Sequence, residues 1–257
     1  FTIGATGLVE LAAGTGGGLT VGNASMTLIN NGTIVNNAAG RTLTVNAIAT
    51  TNNASLSAST GTLTINNAWT NPGTISATNA TLNFNGNWST TGSVTINSTT
   101  LNLDGAFTTA GMDLPGLSRT GGTVNLTGTL TNSALTLNAA TGTWNLSGGG
   151  TINGGSLSYA NGASLQCVNG TLNNVTVNGD INFAAFGTVA VTGSTTFNVA
   201  HLVEGSDIRF APGYTLNSTV RAEGTGGNTR QVLTTAAGTF TIGATGLVEL
   251  AAGTGGG

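Results

Sequence analysis

Apolar and polar residues alternate over short segments of the chain, and most of these segments run into Gly or Asn. The clearest examples are TLNFNG at residues 81–86 and TLNLDG at residues 100–105. Successive side chains of a strand point to opposite faces, so Leu82 and Phe84 would share one face while Asn83 lies on the other. Short runs rich in Thr, Val, Ile and Leu, bounded by turn residues, predict an all-β fold.

A short repeat organises these strands. The segment WTNPGTISATNATLNFNGN begins at Trp69, and the similar segment WSTTGSVTINSTTLNLDGA follows it directly, beginning at Trp88. A third copy begins at Phe107 and carries an insertion around MDLPGLSRTG before the pattern resumes. We expect Trp69, Trp88 and Phe107 to form an aromatic stack, because equivalent positions of successive coils lie above one another in a repeat protein.

The second apolar position of the last strand in each copy can be followed along the whole chain. The spacing of successive positions varies around a mean of roughly 20 residues, and it is least regular around Leu28 and Val232. We expect one buried core stack from these positions: Leu28, Val45, Ile65, Phe84, Leu103, Leu126, Leu146, Cys167, Val191, Phe210 and Leu250. On the opposite face, amide hydrogen bonds would link an outward ladder of Asn83, Asn102, Asn125 and Asn145.

A period of about 20 residues is typical of a parallel β-helix, or β-solenoid, in which strands of successive coils stack about 4.8 Å apart. The leucine-rich repeat frame and calcium-binding nonapeptides are both missing from the sequence. A β-sandwich would not explain a register that returns Trp, Gly and Leu together. We predict about 12 coils per 239-residue unit. Their variable length favours a right-handed solenoid, since left-handed ones usually keep strict hexapeptides.

A longer repeat is visible at the two ends of the sequence. The segment FTIGATGLVELAAGTGGG at residues 1–18 recurs unchanged as residues 240–257, so Phe1 corresponds to Phe240. We therefore expect residues 1–239 to be one solenoid unit and residues 240–257 to begin the next identical unit, without an internal boundary. Neither end resembles a signal peptide, which indicates a segment of a longer secreted precursor. The adjacent unit would cover the end of each unit.

Composition excludes several classes of function. The 257 residues include 42 Gly but only five basic and eight acidic residues. The mean hydropathy of +0.20 argues against disorder. The lack of a basic patch argues against nucleic acid as a partner, and no apolar run is long enough for a membrane span.

One segment, HLVEGSDIRF, concentrates charge at His201, Glu204, Asp207 and Arg209. A metal site or an acid–base pair needs side chains that converge, and this spacing fits no standard pattern of either kind. The favoured interpretation is a solvated turn that contains an ion pair.

The remaining carboxylates do not indicate a hydrolase. Asp104 and Asp113 flank one coil, and Asp180 is remote from both. Glycoside hydrolysis needs two carboxyl groups about 5–9.5 Å apart, and no second carboxylate occupies the position of Asp104 one coil away. The sequence therefore predicts no catalytic residue, no cofactor and no metal ion, and hence no enzyme.

Other candidate residues favour the core. Cys167 aligns with Leu146, which predicts a small buried apolar side chain rather than a reactive thiol. Trp144 falls at an inward position. For Trp69 and Trp88, core stacking is favoured over exposed contact with carbohydrate. The regular Thr and Asn rows leave an ice-binding solenoid as a weaker alternative.

The texture of the repeats also resembles known proteins. WTNPGTISATNATLNFNGNW and GTINGGSLSYANGASL are similar to the low-complexity β-helix repeats of giant bacterial surface proteins, which include filamentous-haemagglutinin-like adhesins and autotransporter passenger domains. This resemblance covers nearly the whole chain and lies in period and composition rather than in a diagnostic motif. It implies secretion, an elongated rod and a role in surface attachment or extracellular fibres, and it transfers no catalytic residue.

The leading hypothesis is a structural repeat unit of an extracellular filament or cell-surface fibre. Its expected partners are adjacent identical units, end to end, and other rods that associate laterally through the Thr and Asn faces. The alternatives are the stalk of a bacterial adhesin, then an ice- or carbohydrate-binding solenoid, and last a β-helix hydrolase.

Overall fold

The computed structural model describes residues 1–254, and these residues form strands and turns without a helix. Parallel strands stack in a β-solenoid of about 11 turns, about 20 residues apart. The prediction of an all-β parallel solenoid is confirmed, with about 11 turns where the sequence spacing predicted about 12. The right-handed sense of the solenoid stays a prediction. Residues 255–257, at the end of the segment expected to begin the next unit, lie outside the described residues.

The chain divides into two compact units, residues 1–128 and the part from Thr129 onwards. In the first unit each full coil carries three strands, and each strand pairs in parallel with its equivalents in neighbouring coils, which creates three rows. Row A contains Leu19–Val21, Thr42–Val45, Gly61–Ile65, Ala80–Phe84, Thr100–Leu103 and Thr123–Leu126. Row B contains Thr2–Ile3, Thr27–Asn30, Ala49–Asn52, Ala68–Asn71, Asn87–Thr90 and Ala106–Thr108. Row C contains Leu8–Leu11, Thr33–Asn36, Ser55–Ala58, Thr74–Thr78, Ser93–Asn97 and Leu117–Thr120.

The second unit has its own rows of parallel strands. Row D contains Trp144–Leu146, residues 165–167 and 181–183, Val199–Leu202, Thr219–Ala222 and Leu247–Leu250. Row E contains Thr129–Thr131, Gly150–Asn153, residues 170–173 and 188–192, Asp207–Phe210 and Gln231–Thr234. The long strands Leu165–Asn173 and Ile181–Thr192 each run through both rows. Row F contains Ala134–Leu137, Ser156–Tyr159 and Thr176–Asn178, and Thr215–Leu216 pairs separately with Thr241–Ile242.

Alternation along each strand determines which side chains enter the core. In row A, Leu82 pairs with Leu101 and Phe84 pairs with Leu103, and all four are at most 1% exposed. Asn83 lies between them on the outer face. Burial of each such side chain stabilises the fold by about 1.5–3 kcal/mol. Because every coil repeats this arrangement, the core is continuous from one coil to the next within the unit.

The expected single core stack is divided between rows. Val45, Ile65, Phe84, Leu103 and Leu126 occupy equivalent positions of row A. In contrast, Leu28 lies in row B and pairs with Thr50. In the second unit, Leu146 and Cys167 pair in row D, whereas Val191 and Phe210 pair in row E. All of these residues are buried, but near the end of the chain Leu250 is 64% exposed and Val232 is half-buried.

The register error has a physical reason. Each coil contains three segments that read apolar–polar–apolar, and the repeat spacing alone does not say which of the three a segment belongs to. The two long strands add a second ambiguity, because one uninterrupted strand contributes to two rows. The predicted core stack therefore passes from row D to row E after Cys167. The neighbour of Cys167 in row D is Phe183 rather than Val191.

Candidate structural and assembly sites

The aromatic residues of row B form a buried stack. The rings of Trp69 and Trp88 have centroids 5.3 Å apart and planes inclined by 9°, and Trp88 lies 4.2 Å from Phe107 at 16°. All three are at most 5% exposed. The indole nitrogens donate to main-chain oxygens, Trp69 to Asn85 at 3.0 Å and Trp88 to Asp104 at 2.9 Å. These rings therefore stabilise the core and present no face to a sugar.

The outward amide ladder runs along row A. Asn102 Nδ2 donates to Asn83 Oδ1 at 2.8 Å, and Asn125 Nδ2 donates to Asn102 Oδ1 at 2.8 Å. Asn83 Nδ2 in turn donates to Thr64 Oγ1 at 3.1 Å. An amide donates and accepts at once, so each residue can bond to the coil on either side. In the second unit, Asn145 occupies the outward position of row D that pairs with Gln166.

A second ladder, which the sequence analysis missed, lies inside the first unit. Asn30 Nδ2 donates to Asn52 Oδ1 at 2.7 Å, Asn52 Nδ2 donates to Asn71 Oδ1 at 2.6 Å, and Asn71 Nδ2 donates to Thr90 Oγ1 at 2.9 Å. All four side chains are at most 3% exposed. They stand at the ends of the row B strands, where the chain turns towards row C. In the sequence, an Asn does recur at this strand end, but an Asn in that position is also typical of a turn.

These buried amides also bond to the turns. Asn30 Nδ2 donates to the carbonyl oxygen of Ser55 at 2.9 Å, and Asn52 Nδ2 donates to that of Thr74 at 3.1 Å. Each of these carbonyls belongs to the following coil. A buried polar group without a partner lowers the stability of the fold by about 1–3 kcal/mol. Because each amide of the ladder takes its partners from the next coil, the turns of successive coils stabilise one another.

The single histidine lies between two carboxylates. His201 Nε2 is 3.2 Å from Asp180 Oδ2, and His201 Nδ1 is 3.1 Å from Glu223 Oε1. Asp180, which the sequence analysis treated as remote, is therefore a neighbour of His201, because Asn182 pairs with His201 across row D. The two carboxylates approach opposite edges of the ring rather than converge on one point. Within residues 1–254, no group of three or more His, Cys, Asp and Glu side chains is placed to hold a metal ion.

The other charged residues of the HLVEGSDIRF segment have partners other than His201. Asp207 and Arg209 form an ion pair at 2.9 Å, as the interpretation of an ion pair required. The carboxylate of Glu204 instead accepts a hydrogen bond from Asn228. His201 lies in the strand Val199–Leu202 and the ion pair lies in the strand Asp207–Phe210, so the expectation of a turn is wrong for these residues. Of the four charged candidates, Glu204 lies in a turn.

Two aspartates considered for hydrolysis serve local turns. Asp104 Oδ1 accepts a hydrogen bond from the main-chain N–H of Gly105 at 2.6 Å. Asp113 lies in the insertion, where its main-chain N–H donates to Thr90 and its main-chain oxygen accepts from Gly116. These three contacts satisfy backbone groups at bends of the chain.

Cys167 and Trp144 are fully buried. Cys167 lies between Leu146 and Phe183 in row D, and its burial raises the pKa of the thiol to about 12. The indole nitrogen of Trp144 donates to the main-chain oxygen of Thr141 at 3.2 Å. Both side chains therefore belong to the core, and the thiol is protonated at neutral pH.

The two copies of the repeated segment pair differently. We call residues 1–11 and 240–250 the first and second copy of the shared segment. In the first copy, Thr2–Ile3 pairs with residues 29–30 and Leu8–Leu11 pairs with Thr33–Asn36. In the second copy, Thr241–Ile242 pairs with Thr215–Leu216, and Leu247–Leu250 pairs with Thr219–Ala222. One sequence thus pairs with a coil that follows it in one place and with a coil that precedes it in the other.

Comparisons with known proteins add no family. No protein-family model matches the chain, and no curated protein or solved structure matches it. The geometry of the stacked rows and the repeated segment are therefore the observations from which a function is inferred.

Residues 1–254 contain no helix that is long and apolar enough to cross a membrane.

Proposed function

We propose that the chain is a structural repeat unit of an extracellular filament or cell-surface fibre. The observation that carries this proposal is the recurrence of the segment at residues 1–18 as residues 240–257, in a chain that folds as a parallel solenoid. In a solenoid each coil contacts only its nearest neighbours. Tandem units can therefore lengthen the solenoid through the same kinds of contact that join coils within one unit.

The side-chain chemistry supports a mechanical role. Three kinds of contact repeat from coil to coil: buried aliphatic pairs such as Leu82 with Leu101, the aromatic stack of Trp69, Trp88 and Phe107, and the two amide ladders. Each contact joins a coil to its neighbours along the stacking direction. Their shared effect is to resist separation of adjacent coils, which is the property that a fibre needs.

The placement of the polar candidates also favours this proposal over an enzyme or a carbohydrate binder. Trp69, Trp88 and Trp144 are buried, so their rings are inaccessible to sugar. Asp104 caps a turn, and the two carboxylates beside His201 hold opposite edges of its ring. Each of these side chains makes a contact within its own coil or with a neighbouring coil.

The first experiment tests assembly. The purified 257-residue chain is followed by light scattering at increasing concentration and then imaged by negative-stain electron microscopy. The proposal predicts unbranched filaments of uniform width whose number rises with concentration. A chain that stays monodisperse and monomeric at all concentrations contradicts it.

A second experiment tests location and separates the fibre from an adhesin stalk. Gold-labelled antibodies against the chain should decorate intact producing cells along extended surface structures, whereas label confined to permeabilised cells contradicts an extracellular role. On a glycan array, a purely structural unit should give no signal above background. Specific binding of one glycan class would favour an adhesive function.

A further inference from the structure

The two copies of the shared segment have the same local conformation. In the first copy, the N–H of Gly7 donates to the oxygen of Gly4 at 2.8 Å, and in the second copy Gly246 donates to Gly243 at 3.0 Å. The turn that follows also agrees, with φ of 80° at Gly14 and 79° at Gly253. The segment therefore keeps one backbone shape although its neighbours differ.

The copies use opposite edges of that shape. The first copy pairs with the coil of residues 27–36, which follows it, and the second copy pairs with the coil of residues 215–222, which precedes it. A strand has two hydrogen-bonding edges, and these pairings do not compete for the same one. A single copy could therefore hold both coils at once.

Burial in the two copies is complementary. Ile3 and Leu11 are 5% and 3% exposed in the first copy, whereas their equivalents Ile242 and Leu250 are 52% and 64% exposed in the second. The opposite holds for the first residue: Phe1 is 62% exposed, whereas Phe240 is half-buried and stacks on Phe210 with centroids 4.8 Å apart. One copy that held both coils would bury all three of these apolar positions.

One glutamate has a partner on each side. In the second copy, Arg221 Nε donates to Glu249 Oε1 at 2.5 Å, and this contact raises the pKa of the Arg221 guanidinium. In the first copy, the equivalent Glu10 accepts from Asn37 Nδ2 at 2.7 Å. A carboxylate has two oxygens and about four acceptor sites, so one glutamate can accept from both an arginine on one coil and an asparagine on the other.

We propose that the shared segment is a two-sided joint, and that its partner is a second copy of this chain. In the joint, residues 1–11 of one molecule replace residues 240–250 of another on the coil of residues 215–222. Because the two copies are identical in sequence, the replacement reproduces each contact on that edge, as in the exchange of an identical element between protomers. This inference deepens the proposed function and rests on it, since it names the surface by which one molecule joins the next.

The joint fixes a register that can be tested. The pairing of Arg221 with Glu249 becomes a pairing of Arg221 with Glu10 of the other molecule. Cysteines at directly paired positions lie within the roughly 4.4–6.8 Å between Cα atoms that a disulfide requires, whereas a shift of two residues exceeds it. Native Cys167 is fully buried and does not compete for cross-linking.

The experiment mixes two variants of the full chain, one with Glu10→Cys and one with Arg221→Cys, under oxidising conditions. The joint predicts a disulfide between the molecules, identified by mass spectrometry. The pair Leu8→Cys with Arg221→Cys is the off-register control and should remain at background. As a positive control, one chain that carries both Arg221→Cys and Glu249→Cys should form a disulfide within the molecule, because these two positions pair directly.

The same substitution in the two copies should have opposite effects. Leu247→Pro removes the N–H that donates to the main-chain oxygen of Ser218 in the resident copy. It should therefore raise the yield of the 10–221 disulfide roughly 3- to 10-fold when placed in the Arg221→Cys variant. Leu8→Pro in the Glu10→Cys variant removes the equivalent N–H from the incoming copy and should reduce that yield to the off-register background. The circular dichroism of both proline variants shows whether the remaining coils keep their β structure.

The outcomes separate the joint from the fibre. If filaments form and the 10–221 disulfide does not exceed the off-register control, even with Leu247→Pro, the joint is overturned while the proposed function stands. If the disulfide forms at the predicted register but the complexes stop at closed dimers, the joint is supported and the filament is contradicted. Equal effects of Leu247→Pro and Leu8→Pro also overturn the joint.

Discussion

Trp69 and Trp88, which occupy equivalent positions of successive coils, lie face to face with ring centroids 5.3 Å apart and planes inclined by 9°. Phe84 touches both rings edge-on, at 4.9 Å from Trp69 and 5.4 Å from Trp88. Stacked and edge-on aromatic pairs each add about 0.5–1.5 kcal/mol beyond the area that they bury. The stack therefore ties the short sequence period directly to the cohesion of neighbouring coils.

The middle ring of this stack provides the first prediction. Trp88→Ala should lower the free energy of unfolding by about 3–5 kcal/mol, because it removes a buried ring that contacts Trp69 and Phe107 on its two sides. Trp88→Phe keeps a ring in place but loses the N–H donor to Asp104, so its cost should be clearly smaller. Urea unfolding followed by circular dichroism measures both, and equal losses in the two variants would argue against the stack as the source of stability.

The two amide ladders provide a matched comparison. Asn52→Ala leaves Asn30 Nδ2 and Asn71 Oδ1 without their ladder partner inside the core, so we expect a loss of at least about 2 kcal/mol. Asn83→Ala interrupts the half-buried outer ladder, where water can replace the lost partners, and should cost at most about 1 kcal/mol. The free energy of unfolding of each variant decides the point. A larger loss for Asn83→Ala would show that the outer ladder is the more important one.

Two glycines with the same φ allow the cost of backbone strain to be measured separately from the cost of steric crowding. Gly40 and Gly105 both have φ of 67°, which an Ala adopts at a cost of about 1–2 kcal/mol. A Cβ on Gly40 would meet open space, whereas a Cβ on Gly105 would collide with the main-chain oxygen of Gly86 in the preceding coil. Gly105→Ala should therefore cost about 1–3 kcal/mol more than Gly40→Ala in urea unfolding. Similar costs would mean that the coils can move apart to admit a methyl group.

The buried thiol predicts a chemical and a pH effect. The pKa of Cys167 is raised from 9.0 to about 12 by burial, and only the thiolate reacts with disulfide reagents. At pH 8 the folded chain should resist such a reagent, and the chain unfolded in urea should react promptly. Rapid labelling of the folded chain at pH 8 would show that row D opens around this residue.

The sign of the pH effect follows from the same shift. The unfolded thiol ionises near 9, whereas the folded thiol stays protonated until about pH 12. The stability that Cys167 contributes is therefore complete below about pH 9 and is lost as the pH rises towards 12. Cys167→Val should show a smaller loss of stability over this range than the native chain, when both are compared by thermal unfolding. An identical pH profile for the two proteins contradicts the assigned burial.

The sequence was most informative where identical residue types returned at a fixed spacing. Trp69 with Trp88 and Asn83 with Asn102 were predicted to lie above one another, and the strand register places them so. The sequence determines the strand register well at such pairs, because a slip of one residue would move every side chain to the other face.

Other features depended on information that a spacing does not contain. Val191 and Leu172 pair in row E, although the sequence analysis aligned Val191 with Cys167, because one long strand serves two rows. The contact of Asp180 with His201 depends on that same register. The buried Asn30–Asn52 pair was missed because an asparagine at a strand end has the sequence signature of a turn, whether its side chain points inwards or outwards.

X-ray diffraction from aligned filaments of the full chain tests whether units of this chain stack end to end as one solenoid. Strands that run across the filament axis and stack along it predict a sharp meridional reflection at about 4.8 Å. Filaments that place this reflection on the equator, or that lack it, contradict the claim.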